Sequence, residues 1–267
     1  MNLSLNHMTA PNLGWDDFLT LAKDIGATGI EFRNDLPTSL FSGDTAEQVG
    51  AAVKASGLTF YGLSQVYPFN VFNDDIAKEV ADLIDVAKRC GAQSISLIPR
   101  NDGTGLGDRE RQINLRLALQ EIKPMLDGTG ITGLIEPLGF ERSSLRRKEE
   151  AINAIETVNG GEVFKIIHDT FHHHLAEETE FFPQHTGMVH VSGVVDTTLA
   201  IRDMEDEHRV LVDCNDRLGN LAQIKSLLHQ GYEGPISMES FSPAIHNAPN
   251  IAALLKESFE FMKKAEN

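Results

Sequence analysis

Residues 229–239, HQGYEGPISME, carry the pattern that decides the fold: a helix end, Gly231, a few residues, a short apolar run, and a carboxylate, Glu239, closing it. Glycine accepts the positive φ found just past a helix, and the apolar run behind it reads as a buried parallel strand. The same joint recurs in DIGATGIEF (24–32), ASGLTFYGL (55–63), RCGAQSISL (89–97) and GTGITGLIE (128–136), with glycines at Gly26, Gly57, Gly91 and Gly130. Steps of 31, 34 and 39 residues between these four match strand–helix units, which need about 30 residues each.

Working outward, the apolar runs predict eight strands: Leu3 to Asn6, Gly29 to Arg33, Thr59 to Leu63, Ser94 to Ile98, Gly133 to Glu136, Phe164 to Asp169, Met188 to Val191 and Ile236 to Glu239. Between them, spacings of three and four predict helices, among them Ala77 to Arg89, Glu110 to Leu126, Lys148 to Val158 and Leu221 to His229. Eight alternating pairs imply an α/β protein, a closed (β/α)8 TIM barrel occupying residues 1–267 as one domain. The sixth unit is the weak one: between Phe171 and Met188 the segment is short and polar, with room for one or two helical turns. The stretch Asp196 to Gly219 is long for a loop and stands on the side of the barrel where a lid belongs.

Composition excludes several classes. With 41% hydrophobic and 23% charged residues the chain is ordinary globular protein, and no apolar run approaches the roughly 18 residues that span a bilayer. The opening MNLSLNHMTAP lacks the regions of a signal peptide, so a cytoplasmic location is expected. A net charge of −16 repels a phosphate backbone and argues against nucleic acid as partner, leaving a small substrate. Cys90 and Cys214 fit no CxxC pattern and read as buried thiols. Association into a homo-oligomer is left open.

Active sites of such barrels lie at the carboxyl ends of the strands. Four strands end in a metal-ligand type: GLIE at Glu136, KIIHD at Asp169, MVH at His190 and ISME at Glu239. A carboxylate closing an apolar strand is costly unless it is paired or bound to a cation. Any one of them alone reads as a solvated strand end; the four together read as one divalent metal site. Three carboxylates and an imidazole suit Mn²⁺, Mg²⁺, Co²⁺ or Zn²⁺. His172, in HDTFHHH, is placed to meet a substrate hydroxyl, the alternative being a solvated histidine loop. His7, Glu31, Arg33, Gln65 and Arg100 follow or end the early strands and are candidates for substrate contact or for bonding one another. Arg209, in DEHRVLVD, either closes on the substrate or makes a surface ion pair.

From LSLNHMT through IEFRND, LIEPLGF, HDTFHHHLA, MVHVSG, DEHRVL and ISMESFSP the chain resembles the xylose isomerase-like barrel superfamily, and within it the bacterial 2-keto-myo-inositol (inosose) isomerases. The resemblance implies that Glu136, Asp169, His190 and Glu239 are the metal ligands and that His172 contacts substrate. It implies that Glu136 and Glu239 also serve as the acid and base of an enediolate isomerisation of a polyhydroxy ketone. Inosose dehydratase, hydroxypyruvate isomerase and ketose 3-epimerase are the rival activities, with a non-catalytic metal- or sugar-binding barrel behind them. An endonuclease of the superfamily would need a histidine-rich zinc cluster and a surface less acidic than this one. Two departures stand out: Val191, Ser192 and Gly193 follow the strand-seven histidine where many relatives carry an acidic pair, and Val210 to Asp213 follow Arg209 where many carry a Pro-Gly turn. Both fall in the substrate-contacting region.

Overall fold

In the computed structural model, which describes residues 1–266, eight parallel strands pair in chain order and the first closes on the last. The first half runs β1 (Asn2–Asn6), α1 (Trp15–Asp24), β2 (Gly29–Arg33), α2 (Ala46–Ser56), β3 (Thr59–Val66), α3 (Asp74–Cys90), β4 (Ser94–Leu97) and α4 (Asp108–Leu126). The second runs β5 (Thr132–Ile135), α5 (Lys148–Thr157), β6 (Phe164–Asp169), α6 (Thr170–Leu175), β7 (Thr186–Val191), α7 (Asn220–His229), β8 (Pro235–Met238), α8 (Pro243–His246) and α9 (Ile251–Met262). The expected (β/α)8 barrel is therefore the architecture, with β2 and β6 at their expected bounds and the ends of the other strands shifted by one to three residues. The sixth helix is a turn and a half, as the polar segment after Phe171 implied.

Local chemistry explains the joints. Gly57 and Gly91 cap α2 and α3 with φ of 81° and 77°, a conformation that a side chain disfavours. At the other ends, Thr45 and Gln48 form a capping box on α2, and the Asn73 side chain accepts from the Asp75 and Ile76 amides of α3. Outward-facing strand residues such as Leu5, Phe32, Leu63, Ile95, Ile166 and Met238 pack beneath the helices as the main core. Each large side chain so buried stabilises the fold by about 1.5–3 kcal/mol.

Alternate residues of the same strands face inward, and there the composition changes. Leu134, Ile167 and Met188 form a small separate apolar cluster, while Ser4, Asn6, Glu31, Ser96 and Ser237 are buried polar groups. Above that plug the inward positions end in charged groups. Of the two cysteines, Cys90 is buried as expected but Cys214 is exposed, because it lies in the long segment after β7 and not in a strand. No helix among the described residues is long and apolar enough to cross a membrane.

Candidate metal centre

The barrel brings Glu136, Asp169, His190 and Glu239 together: each offers one ligand atom, and these atoms lie within 4.8 Å of one another. All four are buried, with Glu136 and Glu239 one residue beyond the ends of β5 and β8 and Asp169 and His190 near the ends of β6 and β7. Three carboxylates this close repel each other, which burial aggravates, and the four residues together could hold a cation. The donor set, with one imidazole nitrogen and carboxylate oxygens, fits a divalent ion of the borderline or hard kind.

Each donor is aimed by its neighbours. Asp169 Oδ1 accepts from the Phe171 and His172 amides at 2.7 and 3.1 Å, so it caps α6 and leaves Oδ2 toward the mouth. His190 turns Nδ1 toward Glu136 Oε1 and Glu239 Oε2, both at 3.3 Å, and Nε2 toward Glu31 Oε2 at 3.2 Å. Arg33 donates to Glu239 Oε1 at 2.6 Å and is gripped from behind by both oxygens of Asp35. Arg209 donates to Asp169 Oδ2 at 2.6 Å, Glu239 Oε2 at 3.0 Å, Asp206 Oδ1 at 3.1 Å and Ser192 Oγ at 2.9 Å. Its guanidinium lies 4.5 Å from the Phe241 ring and 5.0 Å from that of Phe171.

These contacts make the two outer glutamates unlike. Burial raises Glu136, and the partial countercharge of His190 does not cancel the effect. Burial also acts on Glu239, yet His190, Arg209 and Arg33 together hold it well below the usual carboxylate range. One site thus contains a glutamate biased toward the acid and one biased toward the carboxylate.

A cavity of about 240 Å³ opens over the cluster. Glu136 and Glu239 are in its wall and Asp169 and His190 are not. Arg33, Asp35, Asp206 and Arg209 form a charged side; Ile98, Leu138 and Phe140 form an apolar one. His172 also lines the cavity, edge-on to Phe140 and Phe171, and its buried Nδ1 has no hydrogen-bond partner. Gln65 reaches the wall, and Asn101 stands there in place of its neighbour Arg100.

His7 does not reach this cavity. Its Nε2 meets the Leu13 carbonyl at 3.0 Å and its ring packs on Phe18 and Phe32, so it belongs to the helix-facing layer. His173 is likewise diverted, its Nδ1 2.7 Å from Lys148 Nζ, which also bonds Glu178. Asp35, Asp206 and Ser192 are the side chains that sequence reasoning missed. Asp35 sits two residues beyond a buried arginine, and that spacing was the available signal. Ser192 occupies one of the two departures and is where Arg209 anchors. The long segment after β7 is stitched down: Gly193 and Val210 form a two-way backbone bridge, Arg217 donates to the carbonyls of Asp196 and Leu199, and Arg142 grips Glu205 with two bonds.

A closed eight-stranded parallel barrel with a carboxylate–imidazole cluster at its carboxyl mouth defines the class. Residues 19–265 match the family model described as xylose isomerase-like TIM barrel, and the chain belongs to that family. Among solved structures, a xylose isomerase domain containing protein from Salmonella typhimurium LT2 is 30% identical, with a TM-score of 0.90 over 100% of this chain and 97% of that one. The IolI protein, solved with a bound zinc atom, is 18% identical, with a TM-score of 0.89 over 99% and 98%. D-psicose 3-epimerase from Clostridium cellulolyticum H10, solved with D-tagatose, is 14% identical, with a TM-score of 0.76 over 99% of each chain. The last two likenesses are of fold. No curated protein matches the sequence at a significant level.

Proposed function

We propose that this chain is an isomerase or epimerase of a small uncharged polyhydroxy ketone, 2-keto-myo-inositol before a ketose, working with one divalent ion, Mn²⁺ in preference to Mg²⁺, Co²⁺ or Zn²⁺. The observation that carries the reading is that Glu136 and Glu239 belong to the four-residue cluster and also face the cavity, whereas Asp169 and His190 only complete the cluster. The two glutamates are thereby candidates for ligand and proton carrier at once. Relatives of the same fold bear the names of an IolI protein with zinc and of ketose 3-epimerases, which agrees with a substrate of this kind.

When bound, the metal supplies a Lewis acid that polarises a carbonyl and makes the adjoining C–H more acidic. Glu239, kept ionised by Arg33 and Arg209, takes that proton. Glu136, which neither arginine touches with a hydrogen bond, serves the neighbouring carbon. Apart from any metal, burial raises Glu136 while His190, Arg209 and Arg33 lower Glu239, an asymmetry that suits one acid and one base. His172, in the cavity wall, is the candidate to meet a substrate hydroxyl. Phe140, Leu138 and Ile98 keep water from the reacting carbons.

Charge balance favours a neutral substrate. Against the six carboxylates of Glu31, Asp35, Glu136, Asp169, Asp206 and Glu239 stand the guanidinium groups of Arg33 and Arg209 and the imidazole of His190, so a dication held by neutral His190 still leaves negative charge in excess. A carboxylate substrate such as hydroxypyruvate, or any phosphorylated sugar, meets repulsion there. The test is Glu239→Gln. Turnover should fall by about 10²–10⁴-fold, the share of a positioned proton carrier, while calorimetry still detects metal uptake. Turnover equal to wild type with bound metal removes Glu239 from the chemistry.

A further inference from the structure

We propose that Glu31 is a positioning residue of the metal centre, holding the His190 ring so that Nδ1 is the ligand atom. This rests on the reading of the four-residue cluster as a metal site. Glu31 stands in the middle of β2, only 1% exposed, and its side chain crosses the barrel interior to β7. Its Oε2 lies 3.2 Å from His190 Nε2, while its Oε1 receives a bond from Asn6 Nδ2 at 3.4 Å. Among the described residues no lysine or arginine forms an ion pair with Glu31. A carboxylate buried in this way needs donors; Asn6 serves Oε1 through a long bond, and the imidazole N–H of His190 serves Oε2.

The bond has a consequence at the other ring nitrogen. With Nε2 keeping its proton toward Glu31, the nitrogen that would give its lone pair to a metal is Nδ1, which faces Glu136 and Glu239. A ligating imidazole whose far N–H meets a carboxylate is fixed in tautomer and orientation and becomes a stronger donor. The glutamate in IEFRND therefore belongs to the inside of the barrel and acts through His190. It is absent from the cavity wall.

The test uses the full chain stripped of metal and titrated with Mn²⁺ by calorimetry, with Mn²⁺ EPR on the loaded samples. Wild type should bind one ion. Glu31→Ala should bind it about 10–100-fold more weakly, the usual effect of losing a partner behind a metal ligand, with an altered EPR spectrum. Glu31→Gln keeps an acceptor oxygen and should lose less. In wild type loaded with Zn²⁺, ¹⁵N NMR should show His190 with its proton on Nε2, a readout that requires no variant to fold. Equal affinity and spectra in all three proteins, or a proton on Nδ1, overturns the role of Glu31 while leaving the metal site intact. A wild-type chain that takes up no Mn²⁺ overturns the metal site and this role with it.

Discussion

Replacing Arg209 with Met should destabilise the metal-free protein far more than the metal-loaded one. Arg209 is 1% exposed and neutralises Asp169 and Glu239, which are themselves nearly inaccessible. Methionine keeps the aliphatic stem between Phe171 and Phe241 but removes the guanidinium paired with Asp169 and leaves Glu239 with Arg33 and His190 alone. Breaking a buried ion pair from one side costs about 3–5 kcal/mol. For a chain of this length each kcal/mol moves the midpoint by about 2 °C, so a fall of about 6–10 °C is expected in EDTA. A dication placed among the same carboxylates replaces the missing charge, and excess Mn²⁺ should recover much of the deficit. Thermal and urea unfolding of both proteins, with EDTA and with Mn²⁺, measures the four stabilities. A loss below about 1 kcal/mol, or an equal loss with and without metal, would refute the claim that guanidinium and metal stabilise the same charges.

Acid should weaken the fold through its buried neutral histidines. Burial lowers His7 to about 4 and His173 to about 3, from an ordinary value of 6.5. Their folded forms refuse protons that the unfolded chain accepts, so the stability they confer is complete above pH 6.5 and is lost as pH falls from there toward those lowered values. Between pH 7 and 5 each should remove about 2 kcal/mol, and His7→Gln should flatten the slope; urea unfolding that is level over this range contradicts it. Gly139→Ala should cost about 1–3 kcal/mol by overpacking. The added Cβ would meet the His172 carbonyl at 2.2 Å and Leu175 Cβ at 2.7 Å, forcing α6 and His172 away from the cavity. A variant as stable as wild type, with unchanged substrate affinity, would show that this close approach does not hold His172.

What the sequence discloses follows from which interactions are local. The glycine joints and apolar runs are read within ten residues, so the barrel and the ends of its strands were legible, and with them the four residues that converge at the mouth. His172 was legible because it lies three residues after Asp169, in the first turn of α6. His7 misleads because its position after β1 suits the mouth, whereas a backbone carbonyl six residues on, at Leu13, captures its ring. Arg209 could be placed no better than between lid and surface, since its partners come from β6, β8 and Ser192, which only the closed barrel unites. Glu31 shows the same limit: an inward glutamate on β2 is visible as an oddity in a strand, but its partner on β7 is 159 residues away.

The account stands or falls on proton movement next to a carbonyl. Proton NMR of the Mn²⁺-loaded protein in D₂O with 2-keto-myo-inositol, against the same sample in EDTA, measures it directly. Metal-dependent exchange of the hydrogen beside the carbonyl, with a second keto-inositol appearing, is the predicted result. Loss of water to a diketone would make the enzyme a dehydratase, and the absence of exchange with keto-inositols and ketohexoses alike would contradict the proposed chemistry of Glu136 and Glu239.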